Sequence, residues 1–501
     1  APTATPAPAV GRPSDQLIDR RTLLGNPDRT STQISPDGRY VSWIAPSPDG
    51  VRNIWVAPTS KPDQSVMITN DRTRPIRTYR WTHQRDLLIY EQDTGGDEDT
   101  HLYLVNANTA AVHDLTPTKG VQARLVGLSS RHPTRAIVGI NDRDPRYHDL
   151  YEVDLRTRAR TLVVANTEGF SSFVLDNDLR VRLATRMQDD GSEMMFISTG
   201  KGWSEYQVMP YEDQLTTWPI GFSRDNKTLF LVDSRGRNTA ALVAHDIASK
   251  KARLVAADDK ADISGALVHP TTFKIQAVQS EWDISRWRVI DKSVARDFAE
   301  LDKLAPRVDI DATTTDDKLW VVTAYADDAS PRTYLWRRAT RKAQLLFVHR
   351  PELDKQPLVK VHPRVIPARD GLPLMSYLSL PKSSDPDGDG VPAQPTPMVL
   401  LVHGGPWARV SWGNSPYVQL LANRGYAVLA VNFRGSTGFG KAHVNAANGQ
   451  WGKAMHTDLL DAVDWAVARG IAQKDKVAIM GGSYGGYAAL VGLTMTPDVF
   501  A

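Results

Sequence analysis

Cysteine is absent from this sequence. That excludes disulfides and thiolate-held metals, and it suits an oxidising compartment without requiring one. No apolar run approaches the roughly 20 residues that a membrane-crossing helix needs. Neither sign of charge dominates: 60 Lys and Arg face 57 Asp and Glu, a net charge of +3. Nothing in that balance calls for nucleic acid or a membrane surface. Histidine is sparse, 12 in 501 residues, and those before residue 350 include no pair at metal-ligand spacing. An initial methionine is also lacking. The opening stretch APTATPAPAV is rich in Ala and Pro and reads as a disordered lead left after signal removal, which places the protein in a periplasmic or secreted setting. Ser14-Asp15 could then cap a short helix ending before Gly25.

A chain of 501 residues exceeds one ordinary core, so two or more domains are expected. After the extension of residues 1–27, a feature recurs about every 47 residues. A polar turn such as Ser35-Pro36-Asp37-Gly38 precedes a strand such as Tyr40-Val41-Ser42-Trp43-Ile44, and a second strand follows. The same pairing returns at Leu87–Tyr90, Ala136–Val138, Val181–Leu183, Leu229–Val232, Ile275–Val278 and Leu319–Val322. Seven such units over residues 28–354 predict a seven-bladed β-propeller, because one blade cannot bury both faces and a closed ring can.

The periodicity stops near Pro351. Residues 355–501 instead alternate strands and helices, the pattern of a mostly parallel, doubly wound sheet with its site at the carboxyl ends of the strands. A hairpin turns at Arg369-Asp370-Gly371. Strands are expected at Met398–Val402, Tyr426–Val431 and Val477–Met480. Helices are expected at Tyr417–Asn423, ended by Gly425, and at Thr457–Ala468, with Thr457 as cap and Gly470 as stop. Asp385-Pro386-Asp387-Gly388-Asp389-Gly390 matches the first half of a calcium loop. Thr396 stands where the closing acidic residue should be, so the stretch reads as a solvated acidic loop.

Three segments carry chemistry. Gly481-Gly482-Ser483-Tyr484-Gly485 is G-x-S-x-G between a strand and a helix, the nucleophile elbow of an α/β-hydrolase. Its glycines let strand and helix approach closely around Ser483. A serine nucleophile needs a base and needs donors for the oxyanion. The Tyr484 N–H supplies one donor. His403-Gly404-Gly405-Pro406-Trp407 ends an earlier strand, and its Gly405 N–H is the second donor, with Gly404 as the alternative. His403 itself is not the base, since hydrolase triads run Ser, then Asp or Glu, then His. The loop Asn432-Phe433-Arg434-Gly435-Ser436-Thr437-Gly438 lacks phosphate-binding spacing and reads as a border of the site. His403, Trp407, Arg434 and Tyr484 are the candidate substrate contacts, although Arg434 reads more readily as a salt bridge within its loop.

These three motifs, in this order behind a propeller, resemble the prolyl oligopeptidase family of serine peptidases, nearest its acylaminoacyl-peptidase and dipeptidyl-peptidase-5-like branch. The resemblance implies a propeller that caps a hydrolase site and admits short peptides. It also implies acyl-enzyme chemistry at Ser483, a Tyr484 ring beside the pocket, and no metal or cofactor. Homo-oligomers are compatible with it. It places the triad Asp and His well beyond the elbow, but after Ser483 the sequence holds one carboxylate side chain, Asp498, and no histidine. The sheet is therefore expected to be incomplete in this chain, with a C-terminal segment carrying Asp and His as a missing partner. The same machinery would serve an esterase, and a catalytically dead propeller–hydrolase would be a binding protein.

Overall fold

Short strands with alternating burial build most of the chain into radial sheets. The computed structural model describes residues 16–501. Its first seven sheets are formed from consecutive strands between Thr30 and Val348, six of them with four antiparallel strands and one with three. They are the seven blades of a propeller. The polar turn explains the repeat. Ser35 Oγ donates to Asp37 Oδ1 (2.7 Å) and accepts the N–H of Tyr40 (3.0 Å), which locks the turn between the first two strands of a blade. Ser223 makes the same bonds with Asp225 and Thr228, and Thr314 makes its version with Asp316. Hydroxyl and Asx turns of this kind satisfy backbone groups that the ladder leaves open.

The sixth blade, Ile263–Val289, lacks its outer strand. A helix at Ala295–Leu301 covers the gap, packing Phe298 and Leu301 against Trp320 and Trp336. Among the described residues no strand crosses between the chain's first and last blades, and side-chain packing helps close the ring. Val41 and Trp43 of the first blade share a buried cluster with Val321, Leu335 and Phe347 of the last, and the Thr315 N–H donates to the Pro36 carbonyl (2.8 Å).

The second domain is a five-stranded sheet. Its order is His362–Pro367, Pro373–Ser379, Ala427–Val431, Thr396–Val402 and Ala472–Gly481. The first three strands run antiparallel and the last three parallel. Among the described residues the strand that leads into Ser483 pairs with Thr396–Val402 on one side only and forms an edge. Beside it the helix Tyr484–Met495 leaves Leu490, Leu493 and Met495 exposed.

Two expectations are corrected. The long helix spans Ala454–Ala468, so Thr457 lies inside it, bonding the Ala454 carbonyl rather than capping the start. The first helix is Arg20–Leu24, capped by the Asp19 carboxylate, which accepts from Arg21 and Thr22; Ser14 and Asp15 lie outside the described residues, as does the Ala/Pro-rich lead. The described part of the N-terminal extension belongs to the hydrolase side. Ile18 N–H donates to Asn423 Oδ1 (2.8 Å), and Ile18 and Leu23 pack on Leu353, Leu358 and Leu420. The propeller thus sits between two pieces of one domain.

The blades meet the hydrolase domain through loops on one face. Tyr377 donates to the Asp283 carbonyl (2.7 Å), Gln419 to the Asp327 carbonyl (3.1 Å), and Lys441 Nζ pairs with Asp213 (2.8 Å). Because Trp43 packs in the cluster that shuts the ring, Trp43→Ala is expected to cost about 3–5 kcal/mol. Urea unfolding monitored by fluorescence would measure it.

Candidate functional site

The bend at Ser483 is set by two missing side chains. A β-carbon on Gly481 would lie 2.5 Å from the Val402 carbonyl and 2.7 Å from Gly485 Cα. One on Gly485 would lie 2.2 Å from that same carbonyl. The elbow therefore packs against the end of the neighbouring strand closer than any alanine allows. Ser483 has φ 56° and ψ −122°, a left-handed conformation that a non-glycine residue adopts only where its surroundings impose it. Ser483 is exposed and stands at the N-cap of Tyr484–Met495, where helix N–H groups point outward. Its hydroxyl has no hydrogen-bond partner among the described residues. The Tyr484 N–H likewise makes no backbone bond within the first turn, whereas Gly485 N–H returns to Gly482 (2.9 Å).

The glycine loop comes to the same place. A β-carbon on Gly404 would touch Ser483 Cβ at 3.3 Å and Oγ at 3.9 Å. Gly405 follows in a tight turn at φ 123°, a conformation that excludes a side chain. The structure thus brings the sequence-predicted nucleophile and both candidate donor segments together at the ends of two adjacent parallel strands.

His403 anchors that loop. Its ring stacks on Phe433 with 4.5 Å between centroids. Nδ1 bonds the Gly404 carbonyl (2.7 Å) and Nε2 faces Ser436 Oγ (2.9 Å). Burial pushes its pKa below the ordinary value, and Nδ1 donates to the carbonyl. Both nitrogens are engaged, so His403 is placed to hold the loop rather than to serve Ser483 as base.

Tyr484 is buried, and Arg434 makes the salt bridge expected within its loop. The Tyr484 side chain is only 5% exposed. Its ring packs between Phe433 and Trp451, at 5.3 and 4.8 Å, with its hydroxyl toward Met455. It therefore packs against the elbow as a buried ring. The Arg434 guanidinium grips Asp458 with both oxygens (2.9 and 2.7 Å) and reaches Asp370 (2.9 Å). Asp458 holds the Arg434 pKa above its usual range. Arg434 is thus committed to its loop, and the salt-bridge reading replaces the substrate-contact one. Trp407 is half exposed beside Gly404 and Gly405.

The carboxylates of Asp385, Asp387 and Asp389 converge within 4.8 Å of one another. Asp385 spends both oxygens on the N–H groups of Asp389 and Gly390 (3.1 Å each), so the loop is closed on itself. Sequence reading missed Ser436 as the partner of His403 and Arg409 as an anchor of the glycine loop. The Ser in the 432–438 motif was a visible signal, but Arg409 carried none.

A strained serine at a strand–helix corner, with a glycine loop packed against it, is the arrangement of a serine hydrolase. The profile of the prolyl oligopeptidase family matches residues 412–501. Dipeptidyl aminopeptidase BIII of Pseudoxanthomonas mexicana is 48% identical over 503 residues, covering 100% of this chain and 73% of that protein. Dipeptidyl peptidase family member 6 of Caenorhabditis elegans is 37% identical, covering 97% and 70%. In fold, a puromycin-hydrolysing peptidase of Mycobacterium tuberculosis superposes with a TM-score of 0.72 at 17% identity, covering 98% of this chain and 79% of that one. An acylaminoacyl peptidase of Pyrococcus horikoshii gives 0.67 at 13%, covering 97% and 78%. The chain belongs to the prolyl oligopeptidase family of serine peptidases.

The loop around Ser436 also generates a pH dependence. His443 Nδ1 faces the Ser436 carbonyl (3.2 Å), and burial pushes its imidazole down to about 4. Burial does the same to His349 in the last blade. Between about 6.5 and 4 the unfolded chain takes up these protons and the native state does not. Stability present above pH ~6.5 is therefore lost as pH falls toward 4, by about 1–3 kcal/mol per histidine. Denaturant unfolding at pH 7 and pH 5 should show the loss, and His443→Asn should reduce it.

Proposed function

We propose that this protein is a serine peptidase that releases dipeptide units from the free N-termini of short peptides through an acyl-enzyme. The observation that carries the proposal is Ser483, strained and exposed at the elbow, with the Gly404–Gly405 loop against it. In this reading Ser483 Oγ attacks the scissile carbonyl carbon and its proton passes to a base. The Oγ–C bond forms, and the oxyanion takes hydrogen bonds from the Gly405 and Tyr484 N–H groups. The C–N bond then breaks, the amine leaves with the base's proton, and water releases the dipeptide from Ser483 by the same route. The base and its carboxylate come from sequence outside residues 16–501. That part rests on the lack of a hydrogen-bond partner for Ser483 among the described residues and on the greater length of the relatives.

The dipeptidyl mode draws on the two relatives alignable over nearly the whole chain, both named for it. It also draws on the acidic pair Glu212-Asp213. The short helical turn Tyr211–Thr216 lies against the hydrolase helix Lys441–Asn445, where Asn445 donates to the Glu212 carbonyl (2.8 Å). Lys441 neutralises Asp213, and Ser234 bonds it as well (2.7 Å). The Glu212 carboxylate remains exposed, 3.9 Å from Lys441 Nζ, and is the group we assign to the substrate's ammonium. A second reading, release of acylated residues, rests on the acylamino-acid-releasing enzymes that match about a fifth of the chain.

Dipeptidyl and N-acetyl-aminoacyl p-nitroanilides separate these readings. The complete enzyme should prefer the dipeptidyl substrate, and Ser483→Ala should abolish turnover of both. Glu212→Gln should raise KM for the free-amine substrate about 10-fold or more, the scale of one lost charge-assisted bond, and leave the acetylated one unchanged. Preference for the acetylated substrate would favour the second reading. Residues 1–501 alone should turn over neither.

A further inference from the structure

The oxyanion loop is tied to the propeller as well as to its own domain. From Gly404 to Val410 the backbone has little slack. A β-carbon on Gly405 would stand 2.8 Å from Trp407 N and 3.1 Å from Ala408 N, so the turn is folded tightly on itself. Its exit is fixed: the Ala408 carbonyl accepts the Thr437 N–H (2.9 Å), and Asn432 bonds both backbone groups of Val410 (2.8 and 3.0 Å). Between them stands Arg409, whose side chain leaves the hydrolase domain. Its guanidinium lies 4.3 Å over the Phe439 ring and passes Gly438, where a β-carbon would sit 2.4 Å from Nη1. It then reaches the turn of the sixth blade, Nη1 donating to the Glu281 carbonyl (2.8 Å) and Nη2 to the Trp282 carbonyl (3.3 Å). Trp282 in turn meets Phe439 edge-on at 5.5 Å.

We propose that Arg409 is a positioning residue through which docking of the sixth blade sets the amides of Gly404 and Gly405 against Ser483. The proposal rests on the serine-peptidase reading above. Two backbone carbonyls of one domain are satisfied by a side chain four residues from an amide that must meet a developing oxyanion. Such a donor stabilises the transition state only when held at hydrogen-bond distance from where the charge forms, so a small displacement costs rate before it costs binding. Arg409 Nε and Glu281 Oε1 are both buried without a hydrogen-bond partner, and Arg409 Nη2 stands 3.5 Å from Oε1. A slight approach of the blade would complete that pair. Neighbouring contacts reinforce the coupling: Asp262 of the same blade donates its N–H to the Gly438 carbonyl (3.0 Å) and accepts the Gly440 N–H (3.2 Å).

The test uses the complete enzyme, a dipeptidyl p-nitroanilide and a dipeptidyl boronate, which mimics the tetrahedral intermediate at Ser483. Arg409→Ala should lower kcat about 10- to 100-fold with KM changed less than about threefold, since removing an oxyanion donor outright costs about 100- to 1,000-fold. Boronate affinity should fall with kcat. Arg409→Lys should recover part of the loss through one carbonyl contact, and Gly438→Ala should reproduce it by displacing the guanidinium. Hydrogen exchange should quicken at residues 403–410. Unchanged kcat in Arg409→Ala, or in Arg409→Lys and Gly438→Ala should the Ala variant not fold, overturns the inference. So does a loss confined to KM. Activity surviving in Ser483→Ala defeats the peptidase reading instead.

Discussion

The Val402 carbonyl, pressed between Gly481 and Gly485, is the contact on which the site depends. It allows the elbow strand and its helix to close on the neighbouring strand without side chains between them. That closeness forces the corner residue into a left-handed conformation and presents its hydroxyl outward. The strand that supplies the carbonyl continues directly into His403 and the two glycines. One pair of parallel strand ends therefore brings Ser483 and the Gly404–Gly405 loop together.

Support for this corner comes from three layers. Phe433, Tyr484 and Trp451 pack beneath it as an aromatic stack. Arg434, clasped by Asp458 and Asp370, ties the neighbouring loop to the long helix and to the hairpin. Such an ion pair holds geometry firmly, because removing either partner leaves a buried charge. Beyond these, the blades around Asp213, Asp262 and Glu281 grip the loops that end the sheet's strands. The propeller thus holds loops of the hydrolase domain that neighbour the Ser483 corner.

Local chemistry made much of this legible in the sequence. A seven-fold recurrence of polar turns ahead of strands needs only neighbouring residues, and so does a glycine-flanked serine between an apolar strand and a helix. Contacts between distant segments were not legible. Nothing near Thr457 revealed that the helix begins at Ala454, because its start carries no side-chain cap. Nothing near Ile18 revealed Asn423, about 400 residues away along the chain. Tyr484 was read for the neighbour it follows, whereas Phe433 and Trp451, each distant in sequence, decide where its ring lies. Arg409 has no local signature for the same reason: its partners are carbonyls of another domain.

The account's central claim is that Ser483 is the acylating nucleophile. Treating the complete enzyme with a fluorophosphonate and mapping the adduct by peptide mass spectrometry tests it most directly. Stoichiometric phosphonylation of Ser483, with activity lost in proportion, is the expected result. An adduct on another residue, or full inactivation with Ser483 unmodified, would contradict it.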